Sequence, residues 1–202
     1  MKTNYNNLIE NWSYNIAQYM QGDRDNNKAI VAYGLEVFIL NALIGLITVI
    51  ASILLGIFTT TFSALIASGS LRVFTGGYHS SSPVRCMFLT VIMINLYGFL
   101  ANRLGSLLTL YQLTGILFFI MLLSYIIINK NAPVDTPNKP IKAERKPMLK
   151  KFGLRVWGFW ACTVFSVILF KAENLSHVAL AIGLGIASQT LSISGVMQNK
   201  EV

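Results

Sequence analysis

Apolar positions in this chain fall in long uncharged runs separated by short polar breaks, and the lengths of the runs predict the elements. From Val37 to Leu71 there is no charged residue, which is too long for one membrane helix of roughly 20 residues. A two-helix hairpin fits that run, with Gly56 and Thr59-Thr60-Thr61 as the turn, a first helix near residues 33–56 and a second running toward Arg72. A shorter run from Cys86 to Asn102 ends at Arg103, read as a tight turn, and a further run covers Leu104 to Asn129. Val156 to Phe170 and Asn174 to Asn199 supply the last two apolar segments, and Gly183 and Gly185 suit close helix contact. Ahead of all of these, Leu8, Ile9, Trp12, Ile16 and Met20 recur at helical spacing, with Asn6, Asn7, Asn11 and Asn15 at other positions. That pattern predicts an amphipathic helix that lies in the membrane interface or packs on the protein's own core, followed by a polar hinge over residues 23–28.

Composition turns this pattern into a class. With 54% hydrophobic and 12% charged residues in 202 and a mean hydropathy of +0.58, the chain is more apolar than a soluble domain of its length. The expectation is an all-α polytopic membrane bundle of about six transmembrane or half-inserted helices, forming one integral domain over residues 1–202. Residues 1–30 form its interfacial segment, without the features of a cleaved signal. The net charge of +8 sits in loops between apolar runs, so it reports topology rather than nucleic-acid binding. Residues 130–155 hold eight Lys or Arg against Asp135 and Glu144, together with four prolines, and read as a basic cytoplasmic loop. Counting back from it through Arg103 places Arg85, Cys86, His79 and both termini on the cytoplasmic side. Six crossings is the simplest topology, and four spans with two half-inserted segments is the alternative. Two cysteines make no disulfide framework, and Cys162 reads as a small packing residue.

The polar break from Arg72 to Cys86 carries the candidate chemistry. Irregular backbone at membrane depth is tolerated only where protein buries it or it lines a polar cavity. Ser82 and Pro83 are a cap residue and a first helical residue, which places Cys86 in an opening helical turn beside Arg85, where a thiolate is stabilised. His79 could serve as its base if the loop folds back, and Gly76-Gly77 could bring N–H groups to a substrate carbonyl as an oxyanion hole. No Asp or Glu lies between Glu36 and Asp135, so a carboxylate to orient His79 must come from elsewhere in the chain. The same residues also read as a polar turn with a packed thiol, and Ser80, Ser81 and Ser82 as turn and cap residues. One Cys and one His do not make a metal site, with His177 expected on the opposite side, and no phosphate-cradling glycine loop is present.

The string from Arg72 to Cys86, followed by the loop Ala132-Pro133-Val134-Asp135-Thr136-Pro137-Asn138-Lys139-Pro140, resembles the accessory gene regulator protein B (AgrB) family of membrane peptidases in peptide quorum sensing. The resemblance implies a cysteine endopeptidase needing no cofactor, with Cys86 as acyl carrier and His79 as base. Its substrate would be a short precursor with an amphipathic leader on the bilayer surface and an acidic carboxy-terminal tail. After tail removal the peptide would cyclise to a thiolactone or lactone. Arg72, Arg85, Lys139 and Lys142 become candidates for holding the tail or substrate carbonyls, and the resemblance also implies a homodimer. A small peptide exporter and a non-catalytic membrane scaffold are the competing readings. The exporter lacks the internal repeat and intramembrane charges of that class, and the scaffold leaves the pairing of His79 with Cys86 unexplained.

Overall fold

The computed structural model describes residues 2–77, 83–135 and 141–194. These residues form seven helices, α1 Lys2–Ala17, α2 Arg24–Leu54, α3 Phe58–Thr75, α4 Pro83–Leu104, α5 Leu110–Asn131, α6 Lys146–Leu169 and α7 Ser176–Ile193. Two short 3-10 turns, Ala143–Arg145 and Glu173–Leu175, lead into α6 and α7. The chain divides into two compact units, residues 1–47 and 48–202.

In the first unit α1 is amphipathic, but its faces divide differently from the expected stripe. Ile9, Ser13 and Ala17, four apart, form the buried face, while Leu8, Trp12, Ile16 and Met20 are exposed. The polar hinge is tied by Lys28 Nζ donating to Glu10 Oε1 at 2.7 Å and by Asn27 Nδ2 donating to the Gln21 carbonyl at 3.3 Å.

The long apolar run breaks where expected, with a turn at Gly56, φ +68, between the end of α2 at Leu54 and the start of α3 at Phe58. Thr59-Thr60-Thr61 are not in the turn but open α3, where the Thr60 hydroxyl donates to the Ile57 carbonyl. Five helices among the described residues are long and apolar enough to cross a membrane, namely α2, α4, α5, α6 with its leading turn, and α7 with its leading turn. The sixth apolar segment, α3, is not among them. At about 1.5 Å per residue its 18 residues reach about 27 Å, and Ser, Thr and Arg72 dilute its apolar character. Protein covers one face of it, where Ala64, Ala67 and Leu71 are fully buried, while Phe62, Ile66 and Val73 are exposed.

The most enclosed helix is α7, packed against α3, α4, α5 and α6. Lipid is as apolar as a leucine side chain, so close packing of small residues must hold such helices together. A Cβ on Gly185 would lie 2.5 Å from the Ala64 carbonyl oxygen, and one on Gly183 would lie 2.5 Å from Leu117 Cδ2. Leu113, Leu117, Met121, Ser124 and Ile128 make one buried stripe along α5, and the Thr190 hydroxyl of α7, which donates to the Ile186 carbonyl at 2.6 Å, accepts from Ser124 Oγ at 3.1 Å. A capping box begins α5, with Thr109 and Gln112 exchanging side-chain and backbone bonds, so the turn expected at Arg103 falls over residues 105–109.

Two expectations are corrected. The basic loop is shorter than residues 130–155, because α5 continues through Lys130 to Asn131 and α6 starts at Lys146. Pro147 is compatible with a first helical turn, and Lys146, Lys150, Lys151 and Arg155 all lie within α6. Cys162 is exposed on α6 rather than packed inside, since the inward positions there are Ala161 and Val164.

Candidate active site

The site is built where α3 ends. Gly76 stops the helix at φ +69, its N–H donating back to the Arg72 carbonyl at 3.1 Å. The segment then enters a narrow gap. Gly76 pairs with Val134 of the α5–α6 connection, and the Val134 N–H donates to the Thr75 carbonyl at 3.0 Å. A Cβ at Gly76 would lie 2.5 Å from the Val134 oxygen, and one at Gly77, which is buried at φ +147, would lie 2.7 Å from Ser192 Oγ. Only glycine meets both the backbone angles and the clearance. The Gly76 N–H is therefore committed to capping α3, a different use from the oxyanion contact expected of it.

From α7, the Gln189 amide closes the arrangement. Its Nε2 donates to the Gly76 carbonyl at 2.6 Å and to Thr75 Oγ1 at 2.9 Å, while the Thr75 hydroxyl donates to the Leu71 carbonyl at 3.0 Å. Asn131 Nδ2, at the end of α5, donates to the Ile193 carbonyl at 3.0 Å, which joins the base of the α5–α6 connection to the end of α7.

Cys86 lies one turn into α4, which starts at Pro83, and it is half-buried. Unpaired N–H groups at a helix start place partial positive charge there. Arg72, on the last turn of α3 and also half-buried, is close enough to Cys86 to interact with it electrostatically. α3 and α4 pack together, and this brings a residue from each end of the motif to one place. Arg85 is exposed on α4, and Lys142 is exposed at the start of the 3-10 turn before α6. His79 and Lys139 lie outside the described residues. Lys146, one of the basic residues near the motif loop, is paired with Asp135 at 2.5 Å. Because Val134 pairs with Gly76, the next residue, Asp135, is an acid that the fold carries to the motif segment from outside the acid-free stretch. Among the described residues no three His, Cys, Asp or Glu side chains form a metal-binding group.

Sequence reasoning missed Gln189, Thr75 and Val134. A signal was present in Gln189-Thr190, two polar residues inside an apolar run, since a polar side chain in a membrane helix needs a partner within the protein.

The fold and this site define a polytopic helical membrane protein with a thiol near the start of a helix, in electrostatic range of a guanidinium on the helix that ends in a glycine-bearing turn. The sequence model of the family described as Accessory gene regulator B (AgrB) matches residues 9–193, and the chain belongs to that family. An AgrB-like protein 2 of Clostridium perfringens strain 13 is 34% identical over 93% of this chain and 92% of its own length. An AgrB-like protein of C. perfringens strain SM101 is 34% identical over the same shares of the two chains. No solved structure matches the chain. Membership places the protein in the membrane and gives it a role in accessory gene regulator autoinducer peptide processing.

Proposed function

We propose that the protein is a cysteine endopeptidase that removes the carboxy-terminal tail of a short precursor peptide and holds the remainder as a thioester on Cys86. The observation that carries this reading is the position of Cys86, in the opening of α4 with the Arg72 charge beside it. A helix start and a nearby cation are the surroundings in which a cysteine serves as a nucleophile. In the proposed reaction His79 takes the thiol proton and the sulfur attacks the carbonyl carbon before the tail. As the tetrahedral intermediate collapses, the C–N bond breaks and His79 returns its proton to the departing amine. An internal Cys or Ser of the precursor then attacks the thioester, freeing Cys86 and closing a thiolactone or lactone ring. A half-buried sulfur suits this sequence, since water would otherwise hydrolyse the intermediate. Converting an amide to a thioester is uphill, so flux depends on ring closure and product removal.

The substrate proposed is a peptide with an amphipathic leader lying on the bilayer and an acidic tail, delivered to a site at the cytoplasmic face, with both termini of the enzyme also inside. Arg72, Arg85, Lys139 and Lys142 would meet the tail carboxylates. The enzyme would act as a homodimer without a cofactor.

The test is incubation of the protein in lipid vesicles with a candidate precursor, read by intact-mass spectrometry for wild type, Cys86→Ala and His79→Ala. The expected result is loss of a tail-sized mass and an adduct on the enzyme that both require Cys86, with His79→Ala strongly slowed. Cleavage by Cys86→Ala at the wild-type rate would remove the proposal.

A further inference from the structure

We infer that Gln189 is a positioning residue for the active site, a clamp from α7 that holds the chain where it leaves α3 toward His79. The inference rests on the peptidase reading for its kinetic arm only.

The argument begins with the amide itself. A carbonyl oxygen can only accept, so the nitrogen of the Gln189 amide must face Gly76, and the two hydrogens on that nitrogen match the two oxygens it reaches. The Thr75 hydroxyl gives its own hydrogen to the Leu71 carbonyl, so toward Gln189 it acts as acceptor. Each donor and acceptor in this set therefore has a single consistent role. Thr75 is fully buried and Gln189 nearly so, at 4% exposure, which leaves no water to substitute if the amide is lost.

Gly76 is three residues before His79 in sequence, and Cys86 is anchored separately through α4. Glycine pairs have little conformational preference of their own, so the direction in which Gly76-Gly77 sends the chain must be imposed from outside. Val134 restrains one side of Gly76, and Gln189 and Ser192 stand on the other side of the segment. The side chain that bonds the Gly76 carbonyl comes from α7, a helix that carries no residue of the motif, so catalytic geometry becomes dependent on the packing of α7 against α3.

The experiment uses the full chain in vesicles with Cys162→Ala as background, leaving Cys86 as the sole thiol. Gln189→Met keeps the length of the side chain and removes the donor, whereas Thr75→Val and Thr75→Ser delete or keep the hydroxyl that Gln189 reaches. Two readouts are taken per folded molecule, kcat and KM for precursor cleavage, and the pH profile of Cys86 alkylation by iodoacetamide. Gln189→Met is expected to lower kcat by roughly tenfold or more with KM changed less than about twofold, as misplacement of a reacting group does, and to change the alkylation profile. Thr75→Val should fall in the same direction, and Thr75→Ser should recover wild-type behaviour. An unchanged kcat and profile in Gln189→Met would overturn the inference, as would a loss confined to the amount of folded protein. If Gln189→Met does not fold, equal behaviour of Thr75→Val and Thr75→Ser overturns it. If wild type cleaves no precursor, the peptidase reading fails while the alkylation profile still decides the role of Gln189.

Discussion

Replacing Gly76 with alanine probes the narrow gap between the end of α3 and the α5–α6 connection. Gly76 has φ +69 and ψ −149, a region that side chains other than glycine occupy at a cost of about 1–3 kcal/mol. The new methyl would also lie 2.5 Å from the Val134 carbonyl oxygen, a backbone atom that cannot rotate aside. Relief requires moving Val134, which breaks its N–H bond to the Thr75 carbonyl at 3.0 Å and leaves buried groups unpaired at about 1–3 kcal/mol. Together these predict a loss of about 2–6 kcal/mol, and even about 2 kcal/mol is roughly a thirtyfold change in the folding equilibrium. The assay is reversible unfolding in mixed micelles by added denaturing detergent, with cleavage followed in parallel. Gly115→Ala on α5 is the control, because nothing lies within 4 Å of its new methyl and a helical Gly to Ala change should be neutral or stabilising by about 0.5–1 kcal/mol. Stability and cleavage for Gly76→Ala that match Gly115→Ala would refute the reasoning.

Thr190→Val should weaken the α5–α7 contact by about 0.6–1.7 kcal/mol in the same unfolding assay, since the Ser124 hydroxyl loses its buried acceptor. A Thr190→Val, Ser124→Ala double variant that shows no coupling between the two changes would count against that bond. Within α1 and the start of α2, the hydrogen bond from Lys28 to Glu10, followed by its charge, holds the Glu10 carboxyl below the ordinary carboxylate range. A lowered folded-state pKa contributes stability above the ordinary carboxylate range, and that contribution disappears as pH falls through the folded value. Lys28→Met should return Glu10 to ordinary titration by carboxyl-carbon NMR, and an unshifted Glu10 in wild type would show that the pair does not form in solution.

The apolar run lengths and the residues that break them carried the membrane class, the turn at Gly56 that divides the first long run, and the opening of α4 at Pro83. These follow from local rules, namely the span a bilayer requires and the positions Gly and Pro tolerate. The motif itself was also legible, because a thiol, a histidine and paired glycines are scarce in such a chain and stand close together in sequence. Element boundaries in the basic stretch were less legible. Lys146, Lys150, Lys151 and Arg155 counted as loop by charge, yet their aliphatic stems are compatible with the opening turns of α6. The inward and outward faces of α6 were hidden for a related reason, since a run apolar on every side does not say which side meets lipid, and so Cys162 was assigned inward.

From sequence alone, then, come the class of the protein, the order of its membrane segments and the residues able to do chemistry, all properties of short stretches of chain. Tertiary structure decided which side chains support them. Arg72 comes within electrostatic range of Cys86 because α3 packs on α4, and Val134 of the α5–α6 connection pairs with Gly76. Gln189 clamps that same turn from a position more than a hundred residues away. Such partners depend on helix rotation and separation, which between equally apolar surfaces are set by the small residues that allow close approach, as Gly185 does against Ala64.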